Sequence, residues 1–136
     1  MKIERFEDLH AWQEARKLVG LAYQVTRREI FSSDRDLVRH IRRTAVSIMA
    51  NIAEGFARYS VKNSKQFFIT ARGSVAELRS HFYVAFDQGY LSSDDLKAIH
   101  AQGDVVGKLV NGLIRNAKKQ LAAPASLKTT SEPMNQ

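Results

Sequence analysis

Six arginines fall within seventeen residues of this chain: Arg27, Arg28, Arg35, Arg39, Arg42 and Arg43, opposed in that stretch by Glu29, Asp34 and Asp36. A guanidinium matches phosphate oxygens bidentately, so a cluster of them holds a polynucleotide backbone without reading its bases. Arg35, Arg39 and Arg42 step by four and three, which puts them on one helix face with Arg43 on its flank. A second basic stretch, Arg58, Lys62, Lys65 and Arg72, lies in a run from Gly55 to Arg72 that contains no carboxylate. Tyr59, between Arg58 and Lys62, has the side chain to stack on an unpaired base. The competing reading is a solvated face whose charges serve ion pairs and subunit contacts.

Catalytic chemistry finds less to work with. Glu54, Glu77 and His81 are the candidate metal ligands, but Glu77 and His81 are four apart. The carboxylate sites of helix bundles use Glu-x-x-His, spaced three, on two helices. His10, His40 and His100 are scattered, and neither a zinc-protease helix motif, a phosphate-binding glycine loop nor a nucleophile elbow accompanies them. Absence of cysteine removes thiolate nucleophiles, disulfides and cysteine-ligated metals, and agrees with a reducing, cytoplasmic setting. The sequence therefore reads as non-catalytic, with no cofactor or metal.

Two polar rows require another explanation. Arg43, Ser47, Asn51 and Glu54 recur at four, four and three, and Thr70, Ser74, Glu77 and His81 at four, three and four. Facing one another, these rows predict a buried network in which Arg43 pairs with Glu54 or Glu77 and Asn51 serves backbone groups near the following turn. Such a network would specify register.

The elements that position these residues are helical. Leu9, Trp12, Ala15, Leu18, Val19, Ala22, Tyr23 and Ile30 give a helical period from Asp8, the expected N-cap, to Ile30. A second helix, Asp34 to about Glu54, follows a box-like Ser33–Asp36 start. It carries the stripe Leu37, Ile41, Ala45, Ile48 and Ile52, with a second apolar row (Val38, Val46, Met49, Ala53) that points either to contact with another subunit or to a wide core-facing stripe. Gly55 is the expected C′ glycine. Ser60 caps a third helix to Asp87, with Phe67, Ala71, Ser74 or Val75, Leu78, Phe82 and Ala85 inward, and Phe68 and Tyr83 outside the stripe. Gly89 ends it, Ser92 and Asp95 form a box-like start, and a fourth helix carries Gly103, Gly107 and Gly112, which point to close helix approach or else to a weak, fraying helix.

Together these predict an all-α, antiparallel up-down-up-down four-helix bundle over residues 1–121, with a flexible tail over 122–136 that holds both prolines. The 136 residues carry 21 Lys and Arg against 14 Asp and Glu, a net +7 that biases the protein toward acidic partners such as RNA or DNA. No long apolar run indicates a membrane partner.

The stretches LHAWQEARKLVGLAYQVT at 9–26, HIRRTAVSIMANIAEGFARYS at 40–60, FFITARGSVAELRSHFYVAFDQGYLS at 67–92 and VGKLVNGLI at 106–114 resemble the bacterial 23S rRNA intervening sequence proteins, also labelled S23 ribosomal proteins. The pattern carrying the resemblance is Trp12-Gln13, Arg42-Arg43, Ser47, Asn51-Ile52-Ala53-Glu54-Gly55, Ser74, Glu77 and Gly89-Tyr90-Leu91. It implies a four-helix bundle, assembly as a homopentameric ring, and similarity in fold to retroelement accessory proteins that associate with a reverse transcriptase and with nucleic acid. Partners implied for this chain are itself, RNA or DNA, and a nucleic-acid-processing enzyme. The runner-up is a protein-interaction scaffold that touches no nucleic acid. Two positions depart from the family pattern: Met49 stands where proline is usual, implying a straighter second helix, and Ile30-Phe31-Ser32 lacks the usual Phe-Pro.

Overall fold

The computed structural model describes residues 2–124. After a 3-10 turn at Phe6–Asp8 come five helices: α1 His10–Thr26, α2 Glu29–Ser32, α3 Arg35–Ala57, α4 Val61–Asp87 and α5 Ser93–Ala122. Four are long, and α2 is a single turn. Most of the expected tail, 125–136, lies outside the described residues.

Cross-helix contacts fix the directions. Along α3 and α4, Thr44 meets Glu77, Ser47 meets Ser74 and Gly55 meets Phe68, one number rising as the other falls. Along α4 and α5, Arg79 meets His100 and Asp104, and Arg72 meets Asn111. Gln102 on α5 donates to the Glu14 carbonyl on α1 (2.9 Å), while Arg42 on α3 reaches Thr26 on α1. Each long helix packs on its chain neighbour, and α1 closes the set against α5. The result is an antiparallel bundle.

Apolar positions at helical spacing fill the interior: Leu18, Ile41, Ile48, Ile52, Phe68, Leu78, Phe82, Ile99, Val106 and Leu113 are all essentially inaccessible to water. Burying each such side chain contributes on the order of 1.5–3 kcal/mol before conformational entropy is charged against it. Phe68, not Phe67, is the core aromatic of α4. Phe67 is half-buried and carries the Arg58 guanidinium 4.6 Å above its ring.

Several boundaries differ from the sequence reading. Leu9 rather than Asp8 precedes α1, without a side-chain cap, because Asp8 belongs to the 3-10 turn. The helix expected to reach Ile30 breaks after Thr26. Arg28 takes an extended conformation (φ −60°, ψ 144°), and α2 tucks Phe31 beneath Phe82 and Tyr90. Asp34, not Ser33, caps α3. One carboxylate oxygen accepts from the Leu37 N–H (3.2 Å) and the other from the Tyr90 hydroxyl (3.0 Å), tying the start of α3 to the α4–α5 corner.

Gly55 does not end α3. It is buried inside the helix, where a Cβ would come within 2.5 Å of Phe68 Cε1. Close approach is the reason for glycine at this position. The three glycines of α5 do not share it: a Cβ on Gly103 would make ordinary contact with Arg79 at 3.7 Å, Gly107 has nothing within 4 Å, and Gly112 meets the tip of Arg115 at 3.9 Å. Gly89 does end its helix, at φ +79°. Its N–H bonds the Phe86 carbonyl and the Tyr90 N–H bonds that of Ala85, a complete Schellman motif. Ser92 and Asp95 then form the expected reciprocal capping box for α5.

Candidate nucleic-acid interface

The end of α1 and the first half of α3 enclose an open groove of about 900 Å³. Tyr23, Thr26 and Arg27 enter it from α1, at spacings of three and one. Arg35, Val38, Arg39, Arg42, Arg43 and Val46 enter from α3 and form one helical face. Five arginines thus rim a floor made by Tyr23, Val38 and Val46. A second open groove of about 1010 Å³ shares Tyr23, Arg27 and Val46 and continues across α1 to Arg16, Lys17 and Gln102.

Arg42 is the most constrained of the five. Its guanidinium lies 4.5 Å over the Tyr23 ring, and its Nε donates to Thr26 Oγ1 at 3.0 Å. Thr26 is buried and donates its own proton to the Ala22 carbonyl at 2.7 Å, so its oxygen is turned to accept from Arg42. The other four have little to neutralise them. Arg39 approaches Asp36 at 3.7 Å with both side chains largely in water, an ion pair worth about 0–1 kcal/mol. Among the described residues, the side chains of Arg27, Arg35 and Arg43 have neither a hydrogen bond nor a carboxylate partner. Arg35 is also the first residue of α3, where the helix dipole adds partial positive charge to the same end of the groove.

Arg28 does not join them. It makes a bidentate bond to Asp95 at the start of α5, with the longer contact at 3.2 Å. That bond, aided by the Ser92 N–H and hydroxyl, holds the Asp95 carboxyl down at about 2. Arg58 is likewise engaged, bonded to Glu54 at 2.9 Å and stacked on Phe67. Lys62 is exposed and Lys65 half-buried, both on the first turns of α4. At a rise of about 1.5 Å per residue, Arg58 lies roughly 30 Å along α3 from Arg39. The two basic regions are separate.

The polar rows meet in part. Ser47 and Ser74 share a hydrogen bond between α3 and α4 (2.9 Å), and Thr44 Oγ1 reaches Glu77 at 3.4 Å. Glu77 also stands 3.4 Å from His81 Nε2. Asn51 donates to the carbonyl of Ser47 on its own helix, not to the turn, and Glu54 is held by Arg58. Arg43 takes no part. A row stepping by four drifts about 40° per step around an α-helix, which carries Arg43 round to the α1 side while Ser47 faces α4.

The groove's floor is what the arginine pattern alone misses. Tyr23 reads as an ordinary position of the first helical stripe and Val38 and Val46 as a second apolar row, while Thr26 carries no signal of its own in the sequence. The usable signal is the mixed sequence of arginine and valine on one face of α3, from Arg35 to Val46. Val46 remains 42% exposed, and Val38 is half-buried.

Among the described residues, no group of three or more His, Asp or Glu side chains is placed to hold a metal ion, and no helix is long and apolar enough to cross a membrane. The family model of the 23S rRNA-intervening sequence proteins matches residues 7–112. The chain belongs to that family. The match takes in all but the first residue of the 3-10 turn, all of α1 to α4, and two-thirds of α5, and so the whole groove. No curated protein matches the chain.

Proposed function

We propose that this intervening-sequence protein is a non-catalytic nucleic-acid-binding or adaptor module that holds phosphate backbones in the α1–α3 groove with weak sequence preference. One observation carries the reading: five arginines converge on one groove, and among the described residues Arg27, Arg35 and Arg43 have no side-chain partner, Arg42 is held by Thr26 and Tyr23 rather than by a carboxylate, and Arg39 is only weakly paired with Asp36. Concentrating like charges costs stability through self-repulsion, and an incoming polyanion removes that cost. The family's name ties it to RNA, which makes RNA the first partner to test. Arg58, Lys62 and Lys65 offer a second, weaker contact, because Arg58 is already engaged by Glu54.

Homo-oligomerisation, as a pentameric ring, would multiply the +7 of each chain and convert modest binding into avidity. The working form in this proposal is a cytoplasmic ring that also serves a nucleic-acid-processing enzyme. Light scattering should then return five times the 15.4 kDa chain mass.

RNA binding measured at about 50 and 200 mM salt tests the central claim, since each phosphate contact contributes nearly one unit to the log–log salt slope. Arg35→Glu with Arg39→Glu should abolish binding while the oligomer persists. An absence of binding at low salt, or tight binding indifferent to salt, overturns it. The scaffold reading draws on a different observation: Tyr83, Val84, Phe86 and Val105 are exposed apolar side chains on α4 and α5, outside the groove. It would be favoured if the same charge reversals dismantled the oligomer.

A further inference from the structure

The proposed interface contains more than phosphate chemistry requires. A surface that only tracks a backbone needs cations, but the groove floor is Tyr23, Val38 and Val46, left half-open to water. Arg42 is held over the Tyr23 ring, its guanidinium carbon 4.5 Å from the ring centroid, with its Nε committed to Thr26. The guanidinium is therefore positioned before any ligand arrives, and Arg42 lines the groove from that position. Guanidinium planes and aromatic rings are the surfaces on which unpaired bases stack. A duplex keeps its bases stacked on one another and presents phosphate and sugar, so it would leave this floor uncovered.

We infer that the groove selects single-stranded over double-stranded nucleic acid, with an unpaired base stacked on the Arg42–Tyr23 pair and flanking phosphates taken by Arg35, Arg39 and Arg43. The inference rests on the phosphate-binding reading above and adds the base. Electrostatics alone runs the other way, because a duplex carries the denser charge. Any preference for a single strand therefore reports contact with bases.

The test compares three probes on the full-length protein at about 50 mM salt: a short oligouridylate, which does not self-stack, an RNA duplex of the same length, and an abasic oligomer with the same phosphates. The expected result is binding of the oligouridylate at least about fivefold tighter than either of the others, the lower end of what stacking one base is worth. Arg42→Lys, which keeps the charge and loses the plane, should bring the oligouridylate-to-abasic affinity ratio down toward one. Equal affinity for all three probes in the unsubstituted protein overturns the base platform while phosphate binding stands. Binding to none of them removes the parent reading itself. The three-probe comparison needs no substitution, so a poorly folded Arg42 variant would not protect the inference.

Discussion

Replacing Gly55 with alanine isolates the closest approach in the bundle. In an exposed helix interior, alanine for glycine is worth about 1 kcal/mol of stability. Gly73 in α4 supplies that reference, since it is exposed, has ordinary helical backbone and would place a Cβ with nothing within 4 Å. At Gly55 the same methyl would stand 2.5, 2.8 and 3.0 Å from three atoms of the Phe68 ring, which is fully buried and has no exposed end to swing away. Overpacking of this kind costs about 1–3 kcal/mol. Gly73→Ala should therefore stabilise by about 0.5–1 kcal/mol, and Gly55→Ala should fall about 1–3 kcal/mol below it. At roughly 4 °C per kcal/mol for a chain of this size, the two melting temperatures should differ by about 4–12 °C. Urea melts of both variants, with Phe68→Leu alone and combined with Gly55→Ala, complete the test. A smaller side chain at 68 should return part of the loss, with a coupling of about 1 kcal/mol. Equal shifts for the two glycine variants, or no coupling to position 68, would refute the packing argument.

Two predictions concern pH. Asp95 titrates at about 2 rather than the ordinary 3.8, chiefly because of Arg28, so its contribution is present above 3.8 and is lost as pH falls toward 2. Arg28 is nearly half exposed, and screening limits the effect to about 1 kcal/mol; Asp95→Asn should lower stability at neutral pH and flatten the decline in chemical-denaturation curves taken between pH 4 and 2. His100 is also shifted below its ordinary 6.5, by burial first and the neighbouring Arg79 second, with Asp104 opposing. As a neutral ring it accepts the Arg79 Nε–H at 3.1 Å and packs on Tyr83 at 4.7 Å. Stability should fall as pH drops below 6.5, and unfolding free energies of His100→Gln across pH 7 to 5 should show a shallower slope.

How much of this was legible beforehand divides along physical lines. Helix period located all four long helices, because burial of one face leaves a repeat that no local rule can disguise. The C′ glycine at Gly89 and the capping box at Ser92 were also readable, since both depend on residues within five positions of each other. Gly55 was misread for the complementary reason. Its role depends on Phe68, across the α3–α4 turn, and a glycine that ends a helix looks the same in sequence as one that admits a neighbour's ring. Phe67 and Phe68 present a similar ambiguity, as adjacent positions about 100° apart that a rotation of the helix exchanges. The arginines were visible as a cluster, but which of them carry unspent charge depended on Asp95 and Glu54, whose positions only the fold supplies.

The break between α1 and α2 shows how that sorting is achieved. Arg27 and Arg28 are consecutive, and on an unbroken helix both would remain near the α1–α3 boundary. Arg27 ends α1 in helical geometry, at φ −78° and ψ −18°, and stays on the groove rim. Arg28 is extended, and from there its guanidinium reaches the first turn of α5, where Asp95 already bonds Ser92 to cap the helix. One arginine is thus engaged across the end of the bundle, and its neighbour keeps its charge on the groove rim. The break is maintained by Phe31, fully buried against Phe82 and Tyr90, while Tyr90 also bonds the Asp34 cap of α3. Phe31→Ala should therefore weaken the Arg28–Asp95 pair, and Asp95 should titrate closer to its ordinary 3.8 in an NMR titration of that variant; an unchanged Asp95 would separate the pair from the core aromatic.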